Sequence, residues 1–111
     1  MTEISEHKPT RTRPPNRRLA ETFDVRHNGK RFHVSVGRFH DGSVSENFIT
    51  GPKSGSDLES VCRNAAIILS IARQHGVPLG QICHALTRNS DSSPSSIIGA
   101  VLERLIEYGR A

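Results

Sequence analysis

The sequence has no tryptophan, one tyrosine and only two cysteines in 111 residues. With so few large rings, a core must be built mainly from aliphatic side chains. Two thiols cannot form a disulfide framework, which points to a reducing cytoplasm. Long apolar runs are missing too. No stretch approaches the roughly 20 apolar residues that span a bilayer, so no membrane partner is expected. The first residues lack the apolar segment of a secretory signal. Cys-x-x-Cys, His-x-x-x-His and Glu-x-x-His spacings do not occur, and with them go the usual signatures of zinc.

What is present begins with charge. The net charge is +4, and 34% of residues are hydrophobic. Residues 1–18 carry Lys8, Arg11, Arg13, Arg17 and Arg18 against Glu3 and Glu6, a net +3. Everything after them sums to only +1. The early stretch also holds Pro9, Pro14 and Pro15 and few apolar side chains. It cannot bury enough surface to offset the entropy of ordering, so it reads as a disordered basic tail. Residues 19–111 are then one domain.

Within that domain apolar residues first recur with period two. Phe23 and Val25 alternate with polar neighbours. Asn28-Gly29 follows, a hairpin turn in which both positions need positive φ. Phe32, Val34 and Val36 alternate next, Asp41-Gly42 marks a second turn, and Val44, Glu46 and Phe48 alternate again before Ile49. This predicts a three-stranded antiparallel meander with one apolar face, which needs a covering layer.

The period then changes to that of helices. Ser56-Asp57-Leu58-Glu59 fits a capping box. Leu58, Val61, Cys62, Ala65, Ile68, Leu69 and Ala72 share one face of the helix that follows, and this face is expected to lie on the sheet. Gly76 suits an αL cap and Pro78 blocks continuation. Leu79, Ile82, Cys83 and Leu86 predict a short second helix. Ser93-Pro94 is read as the N-cap and first turn of a third, whose stripe is Ile97, Ile98, Val101, Leu102, Leu105 and Ile106. The fold class is therefore α+β, a meander packed against two to three C-terminal helices.

Gly51-Pro52-Lys53-Ser54-Gly55-Ser56-Asp57 joins strand to helix. Free backbone N–H groups and the positive end of the helix dipole make such a place an anion site. Lys53, Ser54, Gly55 and Ser56 are accordingly the candidate phosphate- or nucleotide-binding residues. The stretch is not a Walker A loop, because Pro52 stands directly before Lys53 and the earlier glycine is misplaced. Asp57 already complements the dipole, and a plain capped turn uses the same residues.

Other polar residues form no recognisable constellation. His33 and His40 are too far apart along the strand region for their faces to be matched. His75 suits the negative end of a helix, and His84 only neighbours Cys83. No metal site is assigned. Cys62 and Cys83 lie on apolar helical faces, where cysteine packs as a small hydrophobe. No Ser/His/Asp or paired-carboxylate set can be placed, so no catalytic residues are expected. The basic tail has no stacking aromatics. Any nucleic-acid contact through it is expected to be weak, independent of sequence and sensitive to salt.

Several runs resemble the TSCPD domain: Pro15 to Phe23, Val34 to Phe39 with Asp41-Gly42, Glu46 to Ile49, and Lys53 to Asp57. Ala65-Ala66-Ile67, Gln74 to Pro78, Ala85 to Arg88 and Ser93-Pro94 add to the likeness, which spans about residues 15–107. That domain is found at the C-terminal end of adenosylcobalamin-dependent (class II) ribonucleotide reductases and as short free-standing proteins. The resemblance implies a link to deoxyribonucleotide synthesis, as an accessory or regulatory module beside a reductase. It does not imply catalysis by this chain. Radical reduction needs a large barrel, a radical-bearing cysteine, a redox pair and a cobalamin site, so adenosylcobalamin belongs to the associated reductase. Where the naming motif reads Thr-Ser-Cys-Pro-Asp, this chain has Asp91-Ser92-Ser93-Pro94-Ser95, and any thiol or metal role of that cysteine is lost. The alternative reading is a small nucleic-acid-associated or protein-adaptor domain that uses its basic tail.

Overall fold

A computed structural model of the chain describes residues 10–15, 20–51 and 55–107. Strands β1 (Ala20–His27), β2 (Lys30–Arg38) and β3 (Val44–Thr50) form one antiparallel sheet in the order β1-β2-β3. Helices α1 (Asp57–Gln74), α2 (Leu79–Ala85) and α3 (Ile97–Glu107) follow. The α+β arrangement agrees with the expectation. No helix among the described residues is long and apolar enough to cross a membrane.

Turn chemistry sets the register. Asn28 and Gly29 take φ of 51° and 78°, so both positions have the left-handed conformation that a two-residue hairpin needs. That pairing sets Phe23 opposite Val34 and Val25 opposite Phe32. At the second turn the Asp41 carboxylate accepts from the Ser43 N–H at 2.9 Å and from its hydroxyl at 2.6 Å. Val34 then faces Ile49 and Val36 faces Asn47, with a bulge at Gly37/Arg38. Val25, Phe32, Val34, Val36 and Ile49 are buried together with Leu79, Cys83, Val101, Leu102 and Leu105, so α2 and α3 contribute to the layer over the apolar face.

Helix α1 does something different. It turns back along β3 and bonds to the strand's backbone through its side chains. The Asn47 N–H donates to Ser70 Oγ at 2.9 Å. The single Ser70 hydroxyl proton is directed at the carbonyls of Ala66 (2.8 Å) and Asn47 (3.2 Å). Arg73 Nε donates to the Val44 carbonyl at 2.8 Å, and Gln74 Nε2 to that of Ser45 at 3.1 Å. An open strand edge carries unpaired donors and acceptors, and α1 satisfies several of them.

This corrects the expected orientation of α1. Its buried residues are Glu59, Cys62, Ala66, Leu69, Ser70 and Gln74, whereas Leu58, Val61 and Ile68 are exposed. Burying backbone polar groups costs free energy unless they are hydrogen-bonded. The helix therefore turns polar residues inward at the edge, and its large apolar stripe rotates out. Replacing Ser70 by Ala should lower stability by about 1–3 kcal/mol, the cost of a buried Asn47 N–H without a partner. The better helix propensity of Ala offsets only about 0.5 kcal/mol of this. Urea titration of the variant against wild type checks it, and an unchanged midpoint would refute the edge-closing role.

The helix ends carry one confirmation and one correction. Gly76 has φ 87°, its N–H bonds to the Arg73 carbonyl at 2.9 Å, and the Val77 N–H bonds to that of Ala72 at 3.0 Å. That is the expected left-handed glycine cap. Helix α3, however, begins at Ile97 and is capped by Ser96, whose Oγ accepts from the Gly99 N–H at 3.3 Å. Ser93 is not its cap, because its hydroxyl donates to Asp91 Oδ1 at 2.5 Å, and Pro94 bridges to Arg88. Of the expected basic tail, residues 1–9 and 16–18 lie outside the described residues. In the part that is described, the Thr12 N–H donates to the Gln74 carbonyl at 2.6 Å, and Arg11 Nε donates to the Gln74 side-chain oxygen.

Candidate functional site

The strand-to-helix loop is built around its cap. Ser56 has an extended backbone, and its Oγ accepts from the Glu59 N–H at 3.1 Å. Glu59 reaches back in turn, and its carboxylate accepts from the Gly55 N–H at 3.1 Å. The Gly51 Cα packs close to Glu59, since a Cβ placed there would lie 3.5 Å from the Glu59 backbone. Of the four candidate anion-binding residues, Lys53 and Ser54 lie outside the described residues. Gly55 (φ 80°) and Ser56 adjoin the helix start, where Asp57 and the buried Glu59 already place two carboxylates. Protein anions thus complement the positive end of α1.

The remaining polar candidates are dispersed. His33 lies on the open face of the sheet, with its Nδ1 2.5 Å from Asp24 Oδ1. The pair is solvent-exposed. His40, His75 and His84 do not join it, and no group of three metal-capable side chains converges among the described residues. Cys62 and Cys83 are both buried and unbridged. Burial, followed by the nearby Glu59 charge, pushes the Cys62 thiol above its ordinary range, which disfavours the reactive thiolate.

The segment with the altered naming motif is a self-contained turn. Asp91 Oδ1 accepts from the Ser93 N–H at 3.0 Å as well as from the Ser93 hydroxyl. Ser95 Oγ lies 2.6 Å from Thr87 Oγ1 and 3.0 Å from the Thr87 carbonyl. Arg88 spans the turn, reaching the Ser92 carbonyl at 2.9 Å, Glu103 Oε2 at 2.7 Å and the Cys83 sulfur at 3.5 Å. Both serines that replace the motif's cysteine and aspartate therefore hold the loop by hydrogen bonds.

Asp41 and Asp91 stand in equivalent turns. The Ser43 hydroxyl and N–H hold Asp41 below its usual 3.8, and those of Ser93 do the same to Asp91. A carboxyl depressed in the folded state stabilises above its unfolded pKa, and the contribution is lost as pH falls through the folded value. Stability should thus hold down to the ordinary carboxyl range and decline on acidification below it. Urea midpoints measured in an acid series should show a shallower decline for Asp41→Asn with Asp91→Asn than for wild type.

One feature leaves no mark in the sequence. A cavity of about 330 Å³ opens between the β1–β2 turn and the starts of α1 and α3. His27, Phe32, Leu58, Val61, Cys62 and Ile98 are among its lining residues. The His27 Nε2 atom is buried without a hydrogen bond among the described residues. The cavity's volume is at the lower end of ligand-pocket sizes. No pattern signalled it, because its walls come from three separate segments. A second, polar cavity of about 180 Å³ lies by Asp41, Arg73 and Gln74.

Comparison with known proteins then gives a consistent result. Residues 6–109 match the TSCPD domain. The chain is 35% identical over 77 residues to a vitamin B12-dependent ribonucleotide reductase of Agrobacterium fabrum, covering 69% of this chain and 6% of that protein. The reductase of Bradyrhizobium diazoefficiens gives the same identity and coverage. That of Rhodopirellula baltica is 38% identical over 73 residues, 66% of this chain and 7% of the relative. The chain thus spans only a small part of the curated relatives that it matches. No solved structure matches it.

Proposed function

The chain belongs to the TSCPD domain family, and from that premise we propose that it is an accessory module of a vitamin B12-dependent ribonucleotide reductase. It acts by binding and not by chemistry of its own. The observation that supports this most is proportion: two thirds of the chain aligns with 6–7% of reductases that bear that name. In those proteins the shared unit is a minor part of a large chain. Here the family match, residues 6–109, takes in three strands and three helices with a shared core.

The test is to mix the purified chain with the vitamin B12-dependent reductase of the same cell. Co-elution on size exclusion is expected, with a changed turnover or nucleotide response of the reductase. Separate elution together with unaltered kinetics would sink the reading. A phosphate or nucleotide contact at Lys53, Ser54, Gly55 and Ser56 would be a further property of the module. It requires an anion to replace Glu59 at the Gly55 N–H. Amide resonances of Gly55 and Ser56 that stay unmoved during titration with inorganic phosphate would exclude it.

A further inference from the structure

We propose that this chain forms a two-fold dimer through α1, laid antiparallel against α1 of a second copy. Helix α1 carries an apolar stripe that its own domain leaves open. Val61 and Ile68 are 64% and 68% exposed, Leu58 38%, while Ala65 and Ala72 are half-buried. These five positions are separated by three, four, three and four residues, the heptad seam of paired helices.

The pattern itself selects the occupant. From Val61 the stripe reads large, small, large, small with steps of four, three and four. Reversed, the steps are unchanged and the sizes are exchanged. An antiparallel copy therefore sets Val61 against Ala72 and Ile68 against Ala65, each large side chain over a small one. The two alanines let the helices approach closely, and the contact is self-complementary, as two-fold symmetry demands. An antiparallel copy brings opposed helix-dipole ends together. A partner of unrelated sequence would not require this reversal symmetry.

Sedimentation velocity of the full chain over a wide concentration series tests the proposal. A reversible monomer–dimer equilibrium is expected. Ile68→Glu should weaken it at least about tenfold, with the circular dichroism unchanged because the position is exposed. Orientation has its own readout. Mild oxidation of a mixture of Ala65→Cys and Ile68→Cys chains should give the mixed disulfide ahead of either self-disulfide, since the native thiols are buried. A monomer at every concentration, a dimer indifferent to Ile68→Glu, or a preference for the self-disulfides would each overturn it. So would a face that stays monomeric alone and is covered only by the reductase.

Discussion

Leu102→Ala is expected to lower the unfolding free energy by about 2–5 kcal/mol, the range for truncating a fully buried leucine. Leu102 is completely buried, as are Val101 beside it and Val34 and Val36 on the sheet. Removing its branched end forfeits the transfer energy of the buried carbons and leaves a cavity that the sheet cannot collapse to fill. Domains of this size have only about 5–15 kcal/mol in total, so the variant should be partly unfolded near physiological temperature. Ile106, one turn later and 37% exposed, is the control. Its Ala variant should lose clearly less. Urea unfolding of both measures the contrast, and equal losses would show that burial does not set the cost along α3.

The second large effect has the opposite sign. Asn47→Val should raise stability by about 1–3 kcal/mol, which amounts to roughly 4–8 °C of melting temperature for each kcal/mol. Asn47 is 1% exposed and lies opposite Val36 on the apolar face of the sheet. Its backbone is bonded to Ser70, yet its side-chain Nδ2 and Oδ1 have no hydrogen bond among the described residues. A buried amide without partners carries its full desolvation penalty. Valine removes that penalty and favours the strand. A loss of stability in the melting curve would refute the penalty assigned to the buried amide.

Local chemistry made much of the fold legible. Asn28-Gly29 and Asp41-Gly42 mark both turns, because positive φ and a short carboxyl acceptor are written in residue type. Ser56 with Glu59 marks the start of α1 and Gly76 its end, because these groups act within a few residues of themselves. The α3 start is not legible in the sequence for a related reason. Ser93, Ser95 and Ser96 are all able to cap, and only the loop's folding assigned Ser93 to Asp91 and left Ser96 to the helix. The candidate anion residues show the same limit. Spacing marks a helix N-terminus, but it does not say that the Glu59 carboxylate occupies the Gly55 N–H.

Period and turn residues suffice for the number, order and type of elements, since each depends on contacts within a few positions. The direction in which α1 faces does not. Apolar period alone turns Leu58, Val61 and Ile68 toward the sheet. The folded chain turns them out, because Ser70, Arg73 and Gln74 satisfy backbone groups on the open edge of β3. That choice depends on which strand ends up at the edge, a property of the assembled sheet. The exposed stripe, and with it the surface on which the dimer proposal rests, follows from tertiary structure alone.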